Sequence, residues 1–230
     1  MMIVENSLLF LGTLLASGVM TFVVRGIMRR AGIMDVPTGD RKTHERPVAY
    51  EGGLAMYTAF VCGLVGLAVG VPEFYPESVQ FRGLIFGGTF VVLVGVADDL
   101  LDLKPWVKLV AQVAAAYIMY HHGFRIEKVS NPLGTEIDFA AFASLAVTVI
   151  WYVVLMNGIN MVDGLDGLAA GIVGISSLTV AAIAMDLNQP FGLALALITA
   201  AVCLGFLPFN LSPATIFMGD AGSLLLGFLL

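Results

Sequence analysis

Two adjacent carboxylates, Asp98 and Asp99, close an apolar run without an intervening basic residue. At a membrane boundary such a pair repels itself unless a cation compensates. A hard divalent ion is one reading; two acids capping a solvated loop, with Lys104 as a loose partner, is the other. Further along, in Asn157-Gly158-Ile159-Asn160-Met161-Val162-Asp163-Gly164-Leu165-Asp166-Gly167-Leu168, the polar positions 157, 160, 163 and 166 recur every three residues. In a helical or 3₁₀ segment this spacing keeps Asn157, Asn160, Asp163 and Asp166 near one face, so that amide and carboxylate oxygens line one wall. Gly158, Gly164 and Gly167 leave the opposite wall slim and weaken a regular helix there. A third stretch, Asn210 through Ser223, holds a lone carboxylate, Asp220, beside Gly219 and Gly222 at the start of a predicted helix. By itself that acid reads as a cap favoured by the helix dipole. Gathered in one place, Asp98, Asp99, Asn160 and Asp220 supply oxygens that suit magnesium, with manganese as its substitute, better than zinc. The chain has no cysteine cluster, and outside the pair His121-His122 its one histidine is His44.

A basic counterpart lies earlier. The Pro/Gly-rich stretch Asp35 to Pro47, followed by Gly52-Gly53, carries Arg41, Lys42, His44 and Arg46. Guanidinium and ammonium groups on such a loop make an anion clamp. Taken alone, the same residues read first as ordinary cytoplasmic anchors or contacts to anionic headgroups.

The elements that must carry these residues are membrane spans. Hydrophobic residues make up 59% of the 230-residue chain. Charged residues are only 12%, against about 25% in soluble domains. Mean hydropathy is +0.94. A soluble fold could not cover its surface with so few charges. Apolar runs at Ser7–Val24, Leu54–Val71, Gly83–Ala97, Trp106–Tyr120, Phe139–Met156, Gly167–Met185 and Phe191–Leu207 read as spans, with an eighth opening at Gly222. The first keeps Arg25, Arg29 and Arg30 after its apolar run and so reads as a retained helix, not a signal peptide. Alternating spans put the N-terminus outside, and the inner segments then hold most of the basic residues. The expected architecture is an all-α polytopic membrane protein: a helical bundle of about eight spans forming a single transmembrane domain over 1–230. The turn residues Asn131-Pro132-Leu133-Gly134 suit a small outer hairpin. Four-residue glycine spacings at Gly66/Gly70, Gly83/Gly87 and Gly167/Gly171 predict close helix packing. Leu224–Leu230 ends the chain inside an apolar run, the pattern expected of a protein truncated at its C-terminus.

On this topology the acids and amides collect at one membrane face. All 11 Lys and Arg lie at or before Lys128, and the last 102 residues carry six acids and no base. Uncompensated acids in a lipid-facing protein mark function. A secondary transporter is the competing class; it would place ionisable residues at mid-membrane depth in paired repeats, whereas the span interiors here hold only Lys108 and Gln112, near one end of the fourth. Cys62 and Cys203 lie inside apolar runs and suggest no redox chemistry.

With these motifs assembled, the chain resembles the polyprenyl-phosphate N-acetylhexosamine-1-phosphate transferases, most closely the undecaprenyl-phosphate GlcNAc-1-phosphate branch. The phospho-N-acetylmuramoyl-pentapeptide transferase branch is the alternative. The resemblance runs from about Asp35 to Phe228. It rests on Arg41-Lys42-Thr43-His44 leading to Gly52-Gly53, on Gly95-Val96-Ala97-Asp98-Asp99, on Asn157 through Ala169, and on Phe217-Met218-Gly219-Asp220-Ala221-Gly222-Ser223. It implies transfer of a sugar-1-phosphate from a UDP-N-acetylhexosamine to undecaprenyl phosphate with release of UMP. The setting implied is the cytoplasmic face of a bacterial inner membrane, in cell-envelope polysaccharide synthesis such as that of lipopolysaccharide or teichoic acid. It further implies magnesium at Asn160 and Asp220, and catalytic roles for Asp98, Asp99 and Asp166, the last orienting the site. Arg41, Lys42 and His44 would bind substrate phosphates, with Asp163, Asn210 and Phe217 around the nucleotide. The resemblance leaves room for a homodimer and implies no nucleic-acid partner. The chain departs from the family pattern at Pro47-Val48-Ala49-Tyr50-Glu51, which lacks a second proline and has Glu51 where a positive charge is common. The family's later His-rich motif and further helices would lie beyond Leu230.

Overall fold

The computed structural model describes residues 3–35, 47–70, 79–131 and 134–230. In chain order the elements are α1 (Ile3–Ala31), β1 (Met34–Asp35), β2 (Val48–Ala49), α2 (Gly52–Gly70), α3 (Val79–Leu101), α4 (Pro105–His121), β3 (Lys128–Val129), β4 (Ile137–Asp138), α5 (Ala141–Val162), α6 (Leu168–Asp186), α7 (Pro190–Asn210) and α8 (Gly219–Leu229). Six of these helices are long and apolar enough to cross a membrane; α4 has 17 residues and α8 has 11. The protein is an all-α polytopic membrane protein. Several helices outrun the apolar stretches that announce them. Their hydrogen-bond ladder does not stop where the hydrocarbon does, so α1 continues through Arg29 and Arg30, whose charges favour a helix C-terminus. By the same logic α5 runs on through Asn157 and Asn160.

The shortest helix is the most enclosed. Every residue of α8 from Gly219 to Phe228 is buried except Asp220, and α8 packs against α2, α3 and α5. A β-carbon on Gly53 of α2 would overlap the backbone of Gly222, and one on Gly95 of α3 would overlap that of Ala221. At the other end of α8, a β-carbon on Gly227 would overlap the backbone of Leu155 and Met156 on α5. Close approach in lipid needs small residues because no hydrophobic force drives helices together there.

This corrects the spacing argument. Of the three expected glycine pairs, only Gly83 and Gly87 are packed tightly, against His122 and the Phe228 ring. Gly66 makes only ordinary van der Waals contact with Leu9, and Gly70 and Gly171 face open space. Gly167 lies in a turn with φ 74°. A four-residue spacing puts two glycines on one helix face, but whether that face meets another helix is decided elsewhere in the chain.

Around this axis, α1 packs on α2 and α7. Ser17 Oγ donates to the Val202 carbonyl at 2.7 Å. Its outer stripe of Val4, Leu8, Leu11, Leu15, Val19 and Phe22 is exposed, as a lipid-facing helix requires. The expected hairpin forms: β3 and β4 pair antiparallel, Lys128 opposite Asp138 and Val129 opposite Ile137. A second ladder was not foreshadowed. Met34 pairs with Ala49 and Asp35 with Val48, and Ala49 bridges in parallel to Ile216. These short pairings tether the chain on both sides of residues 36–46 to the segment that leads into α8.

Gly53→Val should abolish the monodisperse peak in fluorescence-detected size-exclusion chromatography, because α2 would be pushed off α8. Gly171→Val, which meets nothing within 4 Å, should leave that peak in place.

Candidate active site

Successive residues on a helix point about 100° apart, so Asp98 and Asp99 at the end of α3 serve different neighbours. Asp98 turns toward α4. Its Oδ1 accepts from the Leu103 amide at 2.9 Å and its Oδ2 accepts from Lys108 Nζ at 2.8 Å. Asp99 turns toward the start of α8, where it accepts from the amides of Asp220 at 3.0 Å and Ala221 at 3.3 Å. Tyr50 Oη also donates to Asp99 Oδ1, at 3.3 Å. A carboxylate at a helix N-terminus satisfies amides that have no partner within the helix and faces the positive end of its dipole. Gly219, with φ 68°, makes this possible: a β-carbon there would press on Asp99 Oδ2.

The cation that reconciles the paired acids is therefore in part the protein's own. Lys108 Nζ donates to Asp98 Oδ2, to Asp220 Oδ2 and, at 3.3 Å, to Asn160 Oδ1. Asn160 Nδ2 in turn donates to Asp220 Oδ1 at 2.7 Å and to Ser223 Oγ at 2.8 Å. Four helices, α3, α4, α5 and α8, thus meet around one ammonium in a cup of oxygens. Lys108 and Ser223 were not among the residues expected to form the site. An ionisable residue inside an apolar helix was the available sign for Lys108, which the sequence placed near one end of the fourth span with no partner to give it a role. Asn157 is engaged separately. It exchanges hydrogen bonds with Gln112 on α4, Nδ2 donating to Oε1 at 2.6 Å and Oδ1 accepting from Nε2 at 3.3 Å.

The three-residue period carries into the site only as far as α5 does. Asp163 is the C-cap of α5, and its backbone N–H bonds back to Ile159. Burial, with repulsion from Asp220, Asp99 and Asp166 behind it, pushes its carboxyl up to about 8. Beyond it the chain turns. Asp166 is exposed, and its Oδ2 accepts from the Ala214 amide at 3.0 Å. Asn210, 2% exposed, accepts from the Gly167 amide and donates to the Ile216 carbonyl, each at 3.1 Å. Asp166 and Asn210 thus fasten the α5–α6 turn to the segment before α8. Phe217 is half-buried, its N–H bonded to Ala49 O at 2.9 Å and its carbonyl to Gly52 N–H at 2.9 Å. Burial, then the charges of Asp99 and Asp220, raises the Tyr50 phenol far above its usual range and keeps it a donor. Arg41, Lys42 and His44 lie outside the described residues.

The site's donor set is oxygen only, and the Lys108 ammonium marks a point where three side-chain oxygens converge on positive charge. That fits a hard divalent cation, which typically takes one or two carboxylates and fills its shell with water and phosphate oxygens. Among the described residues no three Asp, Glu, His or Cys side chains group closely enough to hold an ion unaided.

Residues 81–230 match the family model described as glycosyl transferase family 4. The chain is 36% identical over 219 residues to the probable undecaprenyl-phosphate N-acetylglucosaminyl 1-phosphate transferase of Bacillus subtilis (strain 168), covering 95% of this chain and 59% of that protein. It is 32% identical over 233 residues to the decaprenyl-phosphate N-acetylglucosaminephosphotransferase of Mycolicibacterium smegmatis, covering 94% and 57%. To the phospho-N-acetylmuramoyl-pentapeptide-transferase of Limosilactobacillus fermentum it is 33% identical over 205 residues, covering 83% and 60%. The chain thus spans about three fifths of the length of these relatives.

Two outcomes follow from the electrostatics. Lys108→Met leaves Asp98 and Asp220 facing each other without their ammonium, a change that costs about 3–5 kcal/mol when a buried pair is broken. The melting temperature of the detergent-solubilised protein should fall sharply in this variant. For Asp163 the folded state holds a proton that the unfolded chain releases near its usual pKa. The stability it contributes is complete below pH 4 and is lost as pH rises toward about 8. Asp163→Asn should therefore raise the melting temperature of EDTA-treated protein at pH 8 and leave it nearly unchanged at pH 4.

Proposed function

The chain belongs to glycosyl transferase family 4, and from that membership we propose that it transfers N-acetylhexosamine-1-phosphate, GlcNAc-1-phosphate in the first instance, from a UDP-sugar to undecaprenyl phosphate with release of UMP. The names of its relatives agree with the resemblance read from its motifs and supply the polyprenyl-phosphate acceptor and the N-acetylglucosamine group. The setting proposed is the cytoplasmic face of the bacterial inner membrane, in cell-envelope polysaccharide synthesis. The single observation that carries this reading is the convergence of Asp98, Lys108, Asn160 and Asp220 from four helices at one end of the bundle.

In the proposed reaction an oxygen of the acceptor phosphate bonds to the sugar-bearing phosphorus of the donor. The bond from that phosphorus to the oxygen it shares with the uridine phosphate breaks, and UMP leaves. Such a transfer between two anions depends on holding them together and neutralising their charge. Asn160 and Asp220 would hold magnesium, which supplies charge neutralisation at the diphosphate when bound. Lys108 adds a positive charge at the same point and holds Asp98 in place, so that this carboxylate can stand beside the acceptor phosphate as a proton acceptor. Asp99 orients Asp220 through the first turn of α8. Asp163 and Phe217 border the nucleotide; Asn210 and Asp166 brace the segment that carries Phe217; Arg41, Lys42 and His44 approach the phosphates. A direct displacement needs no covalent aspartyl intermediate.

Full-length protein in detergent should release UMP from UDP-GlcNAc only with both undecaprenyl phosphate and magnesium present. A coupled UMP assay reads this, with UDP-N-acetylmuramoyl-pentapeptide as the comparison donor. Asp220→Asn should abolish turnover with the elution profile unchanged. Retained turnover in that variant removes Asp220 from the site, and preference for the pentapeptide donor moves the protein to the other branch.

A further inference from the structure

Glu51, immediately before α2, is 3% exposed, and among the described residues neither of its carboxylate oxygens has a hydrogen-bond partner. Its backbone is left-handed, with φ 68°, a conformation that glycine adopts without cost and a residue with a β-carbon does not. The turn is held on its C-terminal side: the Gly52 amide donates to Phe217 O at 2.9 Å and the Gly53 amide to Met218 O at 2.8 Å. Burial, then repulsion from Asp99 and Asp220, pushes the Glu51 carboxyl up to about 7. Carboxylates from the α2 turn, the end of α3 and the start of α8 thus act on one another, yet their partners are distributed unequally. Asp99 has two backbone amides and the Tyr50 hydroxyl, Asp220 has Asn160 and Lys108, and Glu51 has no donor among the described residues.

We propose that Glu51 faces the divalent cation of this site and accepts hydrogen bonds from the water bound to that ion, adding a carboxylate to its outer shell. The inference rests on the transfer reading, which puts the ion at Asn160 and Asp220. A dication relieves the repulsion among Glu51, Asp99 and Asp220 together, whereas a neutral donor such as a sugar hydroxyl or amide would serve Glu51 alone. Contact through water agrees with the absence, among the described residues, of three metal-ligating side chains close enough to hold an ion directly, and with the tendency of magnesium to keep several waters. Residues that act on a metal through its ligands typically change affinity by about 10–100-fold.

The test is a titration of full-length, substrate-free protein with Mn2+, following the free-ion signal by electron paramagnetic resonance, with melting temperatures recorded with and without Mn2+. Glu51→Gln should weaken Mn2+ binding by about tenfold or more and shrink the Mn2+-induced rise in melting temperature, without lowering the melting temperature of the metal-free protein. Glu51→Gly, which suits the left-handed turn, should stay folded and show the same loss. Wild-type affinity in both variants would overturn the inference, as would unchanged Mn2+ binding accompanied by weakened binding of UDP-GlcNAc. Asp220→Asn separates the two readings. If that variant loses Mn2+ while both Glu51 variants keep it, the Glu51 assignment alone fails; if wild-type protein binds no Mn2+, the cation site itself fails and the Glu51 assignment with it.

Discussion

Asp98 on α3 and Asp220 on α8 repel one another, and the ammonium of Lys108 between them makes their approach tolerable. The rest of the site depends on that compensation. With the charges balanced, Asn160 can spend its amide on Asp220 and Ser223, which ties the end of α5 to the first turn of α8. Without it, the carboxylates would have to separate or take up protons, because burying unpaired charge costs more than four helix ends can recover from packing.

The second constraint is backbone proximity. α8 is buried almost throughout, and Gly53 and Gly95 bring the α2 and α3 backbones against its first turn. Only there can Asp99 reach the free amides of Asp220 and Ala221. The glycines and the acid are thus parts of one arrangement: small residues set the distance, and the carboxylate uses it. The Ala49–Ile216 bridge and the clasp of Asn210 on Gly167 and Ile216 hold the incoming segment so that α8 begins where Asp99 can meet it.

Much of this was legible from residue types alone. Apolar runs located the helices because the bilayer demands length and apolarity, and Asn131-Pro132-Leu133-Gly134 announced the hairpin through turn chemistry. Asp98, Asp99, Asn160 and Asp220 were recognisable as one set because uncompensated acids gather at one face. Lys108 was not, since its three oxygen partners come from three other helices and no local spacing encodes that meeting. The period of three placed Asn157 and Asn160 on one wall, yet Asn157 pairs with Gln112 while Asn160 reaches Asp220. A period fixes direction along one helix and leaves open which neighbour lies there. The β1–β2 ladder has no sequence signature for a similar reason, being two residues long on each side and carrying no alternation to read.

One dimension of α4 bears on the lipid itself. Its 17 residues rise about 25 Å, against a hydrocarbon thickness of about 30 Å, and its outward side is exposed at Trp106, Leu109, Val110, Val113 and Tyr117. Trp106 near one end and Tyr117 and Tyr120 near the other are the amphipathic rings that settle at headgroup level. A helix this short creates hydrophobic mismatch, which is met by thinning of the bilayer, by snorkelling of flanking residues or by association with other helices. Lys108 sits one turn in from the end of α4 that carries Trp106, so on a helix this short its ammonium stays close to the membrane surface.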